Sequence, residues 1–82
     1  MGNPMDRQTV IDKAEHCNRL VKDELLIEAF EAVEADIYNE WRTSAVGDYQ
    51  YRSDLFHTLK GLERLKTRLQ KYIDDGVIAS RS

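Results

Sequence analysis

The sequence predicts an all-α protein built as a long antiparallel helical hairpin that is preceded by a short N-terminal helix. Apolar residues recur at three- and four-residue spacing along most of the 82 residues, and only one Pro and four Gly interrupt them. Charged residues make up 33% of the chain, which is typical of solvated helix faces. A domain of this size buries only about 60–65% of its unfolded surface, so we expect it to assemble into an oligomeric helical bundle.

The first helix is predicted over residues 6–21. Residues 1–5 offer little apolar surface to bury and are expected to be frayed. Cys17 is predicted to be a small buried side chain on the apolar stripe of this helix. The stripe consists of Val10, Ile11, Ala14, Cys17, Leu20 and Val21.

The second helix is predicted over residues 24–45. Its apolar stripe begins at Leu26, five residues after Val21, whereas a spacing of three or four would continue the first stripe. Asp23 can accept a hydrogen bond from a free amide of the first turn and so begin a new helix. One curved, continuous helix through this point is the alternative.

The third helix is predicted over residues 49–75. Just before it, Gly47 can adopt the left-handed conformation that ends a helix, and Asp48 can cap the helix that follows. Gly76 is predicted to end the third helix in the same way, which leaves residues 78–82 without an anchor.

The two long helices are expected to pack against each other along one seam. The seam residues are Leu26, Val33, Ile37 and Trp41 on one helix and Leu55, Leu59, Leu62 and Leu69 on the other. Gly61 favours close approach of another helix at the edge of this seam. Four apolar side chains lie about 100° from the seam and are predicted to form a partner interface: Ile27, Tyr38, Tyr49 and Phe56. Isolated apolar residues on a polar surface are the alternative.

Charge is divided unevenly along the chain. Residues 1–50 hold eleven Asp and Glu against five Lys and Arg, whereas residues 51–82 hold four against seven, so the halves carry about −6 and +3. This division favours packing between the halves and head-to-tail association of copies. The second helix has an acidic face of Glu24, Glu28, Glu31 and Asp36, and the third has a basic face of Lys60, Arg64, Arg68 and Lys71.

The sequence contains no pattern typical of an enzyme. Cys17 is the single cysteine, and neither His16 nor His57 has a second His or Cys at a ligand spacing. A Gly-rich phosphate loop, a nucleophile elbow and a zinc-protease motif are all lacking. We therefore predict no catalytic residue, no metal and no cofactor.

The pattern from Leu25 to Trp41, the polar loop after it and the leucine spacing up to Asp75 and Gly76 resemble small acidic helical proteins encoded by tailed bacteriophages and prophages. The resemblance covers about residues 14–77. It implies a role in the head and genome-packaging module of a phage or as a small inhibitor of a host system. A lone cysteine and short apolar runs indicate the cytoplasm, meaning the host cytoplasm or the virion for a phage protein.

These observations predict a non-catalytic protein-protein interaction module that self-associates or docks on a larger assembly, with a structural or virion assembly role if the chain is viral. The first alternative is a small inhibitor whose acidic face masks a basic site on a host or defence protein. The second is nucleic-acid binding through the basic face, which the net charge of −3 disfavours.

Overall fold

The computed structural model describes residues 6–81, and within them it contains three helices and no strand. Helix α1 spans Arg7–Leu20, α2 spans Glu24–Thr43 and α3 spans Tyr49–Arg81. The predicted all-α class is confirmed for this part of the chain. The fraying predicted for residues 1–5 lies outside the described residues.

The break between α1 and α2 is set by Asp23. Its backbone is extended, with φ −68° and ψ 122°, and its carboxylate accepts a hydrogen bond of 3.0 Å from the amide of Leu26. Glu24 follows in the first turn, where a negative charge complements the positive end of the helix dipole. The predicted cap is confirmed, and the alternative of one continuous helix is wrong.

The connection from α2 to α3 differs from the prediction. Helix α2 ends at Thr43 rather than at residue 45, because the backbone of Ser44 is extended and its hydroxyl donates to the carbonyl of Trp41 at 2.6 Å. Gly47 does not adopt the left-handed conformation, since no residue from 6 to 81 has a positive φ. The predicted cap at Asp48 is confirmed by a hydrogen bond of 3.3 Å from the amide of Tyr51.

Helix α3 continues through Gly76 to Arg81, so the predicted stop at residue 75 is wrong. Gly76 is buried against α1, where a Cβ atom would overlap the Cβ atom of Ala14 and lie 3.6 Å from the carbonyl oxygen of Val10. The absence of a side chain therefore permits close helix packing instead of ending the helix. Residues 78–81 are helical rather than frayed, and Arg7 Nε donates to the carbonyl of Ala79 at 2.7 Å.

Gly61 does not have the predicted role of admitting a neighbouring helix. A Cβ atom on Gly61 would meet nothing within 4 Å. At about 100° per residue, Gly61 lies about 120° from the buried Leu55 around α3, on the side that faces away from α2.

Helices α1 and α2 lie one after the other along α3, which at about 1.5 Å per residue is about 50 Å long. The C-terminal part of α3 contacts α1, where Lys13 Nζ lies 4.9 Å from the centroid of the Tyr72 ring. The N-terminal part contacts α2, where the Arg52 guanidinium lies 4.3 Å from the centroid of the Trp41 ring. The molecule measures 54 × 25 × 22 Å.

The packing of α1 and α2 on α3 buries few apolar side chains. The buried apolar side chains among residues 6–81 are Ala14, Cys17, Ile37 and Leu55, which confirms the burial predicted for Cys17. Two residues predicted for the seam, Val33 and Trp41, are 43% and 47% exposed. The accessible surface is 6545 Å², whereas a compact monomer of 9.5 kDa exposes about 5000 Å². Helices α1 and α2 both pack on α3, and most of the surface of each helix remains exposed.

Candidate interaction surface

An apolar groove lies between α2 and the N-terminal part of α3. It has a volume of about 260 Å³ and is lined entirely by aliphatic and aromatic side chains. We call it the aromatic groove, and its lining residues are Ile37, Tyr38, Trp41, Leu55, Phe56 and Leu59.

The helical repeat explains how these residues come together. At about 100° per residue, Tyr38 lies about 100° from the buried Ile37 around α2, and Phe56 lies about 100° from the buried Leu55 around α3. Because both aromatic residues follow a buried residue, each projects from the same side of the helix pair. Tyr38 is 57% exposed and Phe56 is 54% exposed, so the two rings form the outer walls of the groove.

Cations flank the groove. The Arg52 guanidinium stacks on Trp41 at 4.3 Å from the ring centroid, and Lys60 Nζ lies 5.4 Å from the centroid of Phe56. A cation over a ring face is attracted by the negative face of the ring. His57 meets the edge of Phe56, with ring centroids 5.6 Å apart and planes at 69°.

An ion pair joins α2 to α3 farther from the loop. Lys66 Nζ lies 2.8 Å from Glu34 Oε1. The hydrogen bond to Glu34 and then the charge of that carboxylate raise the pKa of Lys66. Both side chains remain accessible to water, so salt screens their attraction. Lys66 also lies 5.9 Å from the centroid of Phe30, beyond which a second depression opens.

The second depression lies where α1 gives way to α2 and also has a volume of about 260 Å³. Its apolar lining comes from both long helices and includes Ile27 and Phe30 of α2 and Leu69 of α3. Glu31, Lys66 and Gln70 add polar groups to its lining, which distinguishes it from the aromatic groove.

The predicted interface residues are distributed among these features. Tyr38 and Phe56 share the aromatic groove, Ile27 lines the second depression, and Tyr49 lines neither and is 77% exposed. Trp41 was assigned to the core by its spacing, yet it forms a wall of the groove. At about 100° per residue it lies about 40° from Ile37 towards Tyr38, which is the signal in the sequence that indicates this position.

The acidic face predicted on α2 consists of exposed residues. Glu24, Glu28 and Glu31 lie within about 60° of one another around the helix, whereas Asp36 lies about 80° from Glu28 and faces another direction. The structure therefore gives α2 a patch of three carboxylates on its outer side.

The basic face predicted on α3 is also exposed, and acidic neighbours partly neutralise it. Lys60 Nζ pairs with Glu63 at 3.3 Å, and Lys71 Nζ pairs with Asp75 at 2.8 Å. Arg64 and Arg68 form no hydrogen bond or ion pair within residues 6–81.

Residues 6–81 contain no group of three or more His, Cys, Asp or Glu side chains arranged to hold a metal ion. No helix in this range combines the length and apolarity required to cross a bilayer. Comparisons of the chain with protein-family models, with curated proteins and with solved structures find no match.

Proposed function

We propose that this protein is a non-catalytic interaction module, built as an antiparallel helical hairpin, that binds another polypeptide in the aromatic groove. The observation that carries the proposal is the exposure of Tyr38, Trp41 and Phe56 around one wholly apolar groove. Aromatic residues at the centre of an apolar patch, with arginine beside them, are the residue types that dominate the binding energy of protein interfaces. Arg52 supplies that neighbour here.

The free energy available from covering the exposed aromatic rings supports a binding role. An aromatic side chain buries about 150–250 Å² in full, so covering the exposed halves of these three rings removes about 300 Å² from water. At about 25 cal/mol per Å² this contributes about 7 kcal/mol before the cost of association. That cost is about 4–15 kcal/mol, so the groove supplies an anchor and the surrounding surface must contribute as well.

The charged faces support the alternative functions less well. Two of the four cations of the basic face are paired with Glu63 and Asp75, which lowers the positive potential available to a polyanion. The acidic patch on α2 has no apolar groove at its centre. In keeping with the resemblance to phage proteins, we propose a structural or assembly role for the module.

Native mass spectrometry of the tagged chain, purified from lysate of its source cells, tests this function. Wild-type protein is expected to carry at least one further polypeptide, either a second copy or another protein, and Phe56→Glu is expected to lose it because a carboxylate cannot be buried in the groove. Tyr49→Glu is the matched control, since Tyr49 is exposed outside both depressions. A wild-type chain that carries nothing, or a Phe56→Glu chain that keeps its full complement, would contradict the proposal.

A further inference from the structure

We infer that the polypeptide bound in the aromatic groove is a second copy of this chain, so that two hairpins pack face to face as a helical bundle. This inference rests on the proposed function, and it names the partner. Three observations carry it: the amount of surface left exposed, the extent of the apolar face, and the charges around the groove.

The exposed surface is sufficient for a stable dimer. The chain exposes 6545 Å², about 1500 Å² more than a compact monomer of its mass, and a specific interface covers about 800 Å² on each partner. Packing the α2–α3 pair of one copy on that of another would cover about 800 Å² per copy, which is about half of this excess. Four-helix bundles bury their apolar faces in this way.

The apolar face extends well beyond the groove. A third depression lies between α1 and the end of α3, where Ile11, Ile73 and Val77 line it together with polar Glu15, Asn18 and Ser80. At about 100° per residue, the α3 residues that line all three depressions lie within about 80° of one direction. From Phe56 to Val77 this side of α3 covers about 32 Å at 1.5 Å per residue, a length that another hairpin of the same dimensions can follow.

The cations beside the groove are partly balanced, since Lys60 pairs with Glu63 at 3.3 Å, which suits a copy better than a strongly acidic partner. Two-fold interfaces are self-complementary, so the surface must offer both members of each pair. A two-fold axis along the groove sets α2 of each copy on α3 of the other, in opposite directions. Tyr38 then meets Phe56 of the second copy. Glu34, one turn away and paired with Lys66 of its own chain, lies at the level of Lys60 of the second copy, and the same relationship occurs twice.

Sedimentation equilibrium of the purified chain at micromolar concentration tests the inference. Wild type and Tyr49→Glu are expected to sediment as dimers. Phe56→Glu and Tyr38→Lys are expected to sediment as monomers with dimerisation weakened at least ~30-fold, the loss typical of an interface anchor. Circular dichroism of each variant checks that it remains helical. A monomeric wild type, or a Phe56→Glu chain that still forms the dimer, would overturn the inference.

Mixing the two disruptive variants tests the arrangement of the copies. In an equimolar mixture of Tyr38→Lys with Phe56→Glu, the new ammonium and carboxylate groups face each other across one half of the interface, while the other half is unchanged. Dimer mass should therefore return in the mixture, and its failure to return would overturn the arrangement. A monomeric wild type that nevertheless captures a different protein through Phe56 in lysate would remove this inference and leave the proposed function standing.

Discussion

Gly76 of α3 packs so closely on Ala14 of α1 that the two helices would collide if Gly76 carried a methyl group. The 61 residues between these positions in the chain include the whole of α2. This contact explains why α3 passes through a glycine that would otherwise weaken it, because the small residue lets the short helix α1 dock. Arg7 joins the same two helices by donating to the carbonyl of Ala79.

Replacing Gly76 by Ala is expected to destabilise the protein by about 1–3 kcal/mol, because overpacking at the contact with Ala14 outweighs the helix propensity gained. Gly61→Ala is the matched control and should stabilise the protein by about 1 kcal/mol, since the new methyl group meets nothing within 4 Å. Urea unfolding monitored by circular dichroism measures both changes. Stabilisation of similar size in the two variants would show that α1 does not pack on Gly76.

Removing the cap of α2 is expected to lower the free energy of unfolding by about 1 kcal/mol. In Asp23→Ala the amide of Leu26 loses the carboxylate that accepts its hydrogen bond. Asp23→Asn should retain most of the stability, because the amide oxygen can accept the same bond. Thermal unfolding compares the three proteins, and equal losses for Ala and Asn would contradict a capping role.

Arg7→Ala is expected to loosen the last turn of α3. The guanidinium is bonded to the carbonyl of Ala79, and without it residues 79–81 should exchange their amide hydrogens faster. Arg64→Ala provides the control, since Arg64 forms no bond to another described residue. Hydrogen exchange measured by NMR reports each amide separately. Unchanged exchange at the end of α3 would contradict this role of Arg7.

Stability is expected to fall at alkaline pH through two groups with raised pKa values. Partial desolvation first, and then the nearby Glu40 carboxylate, raise the pKa of Tyr51, and Glu34 raises the pKa of Lys66. A raised pKa in the folded state means that the protonated form is favoured there. The stability that results is fully present below the unfolded-state pKa values, which are about 10.0 for Tyr and 10.5 for Lys. It is lost as the pH rises through the higher pKa values of the folded state.

Urea unfolding at several pH values from about 9 upwards measures this loss, together with the variants Tyr51→Phe and Glu34→Gln. Each variant removes one of the two interactions, so its stability should fall less steeply with pH than that of wild type. A steeper fall in either variant would show that the interaction has the opposite sign.

Much of the fold follows from local sequence. The caps at Asp23 and Asp48 each depend on an amide three residues away, and apolar spacing depends on the helical repeat, so both can be recognised without knowledge of the rest of the chain. The same spacing assigned Trp41 to the core. It could not show that α2 and α3 leave this ring half exposed at the edge of a groove, because exposure depends on how two helices meet.

The sequence by itself determined that this protein is helical, where its two capped helices begin and which side chains project beside the seam. Only the tertiary structure decided that Gly76 is a packing contact, that Gly61 is not, and that Tyr38 and Phe56 share one groove. The physical reason is range: capping and periodicity act within a few residues, whereas glycine contacts and grooves are made by helices that lie far apart in the chain.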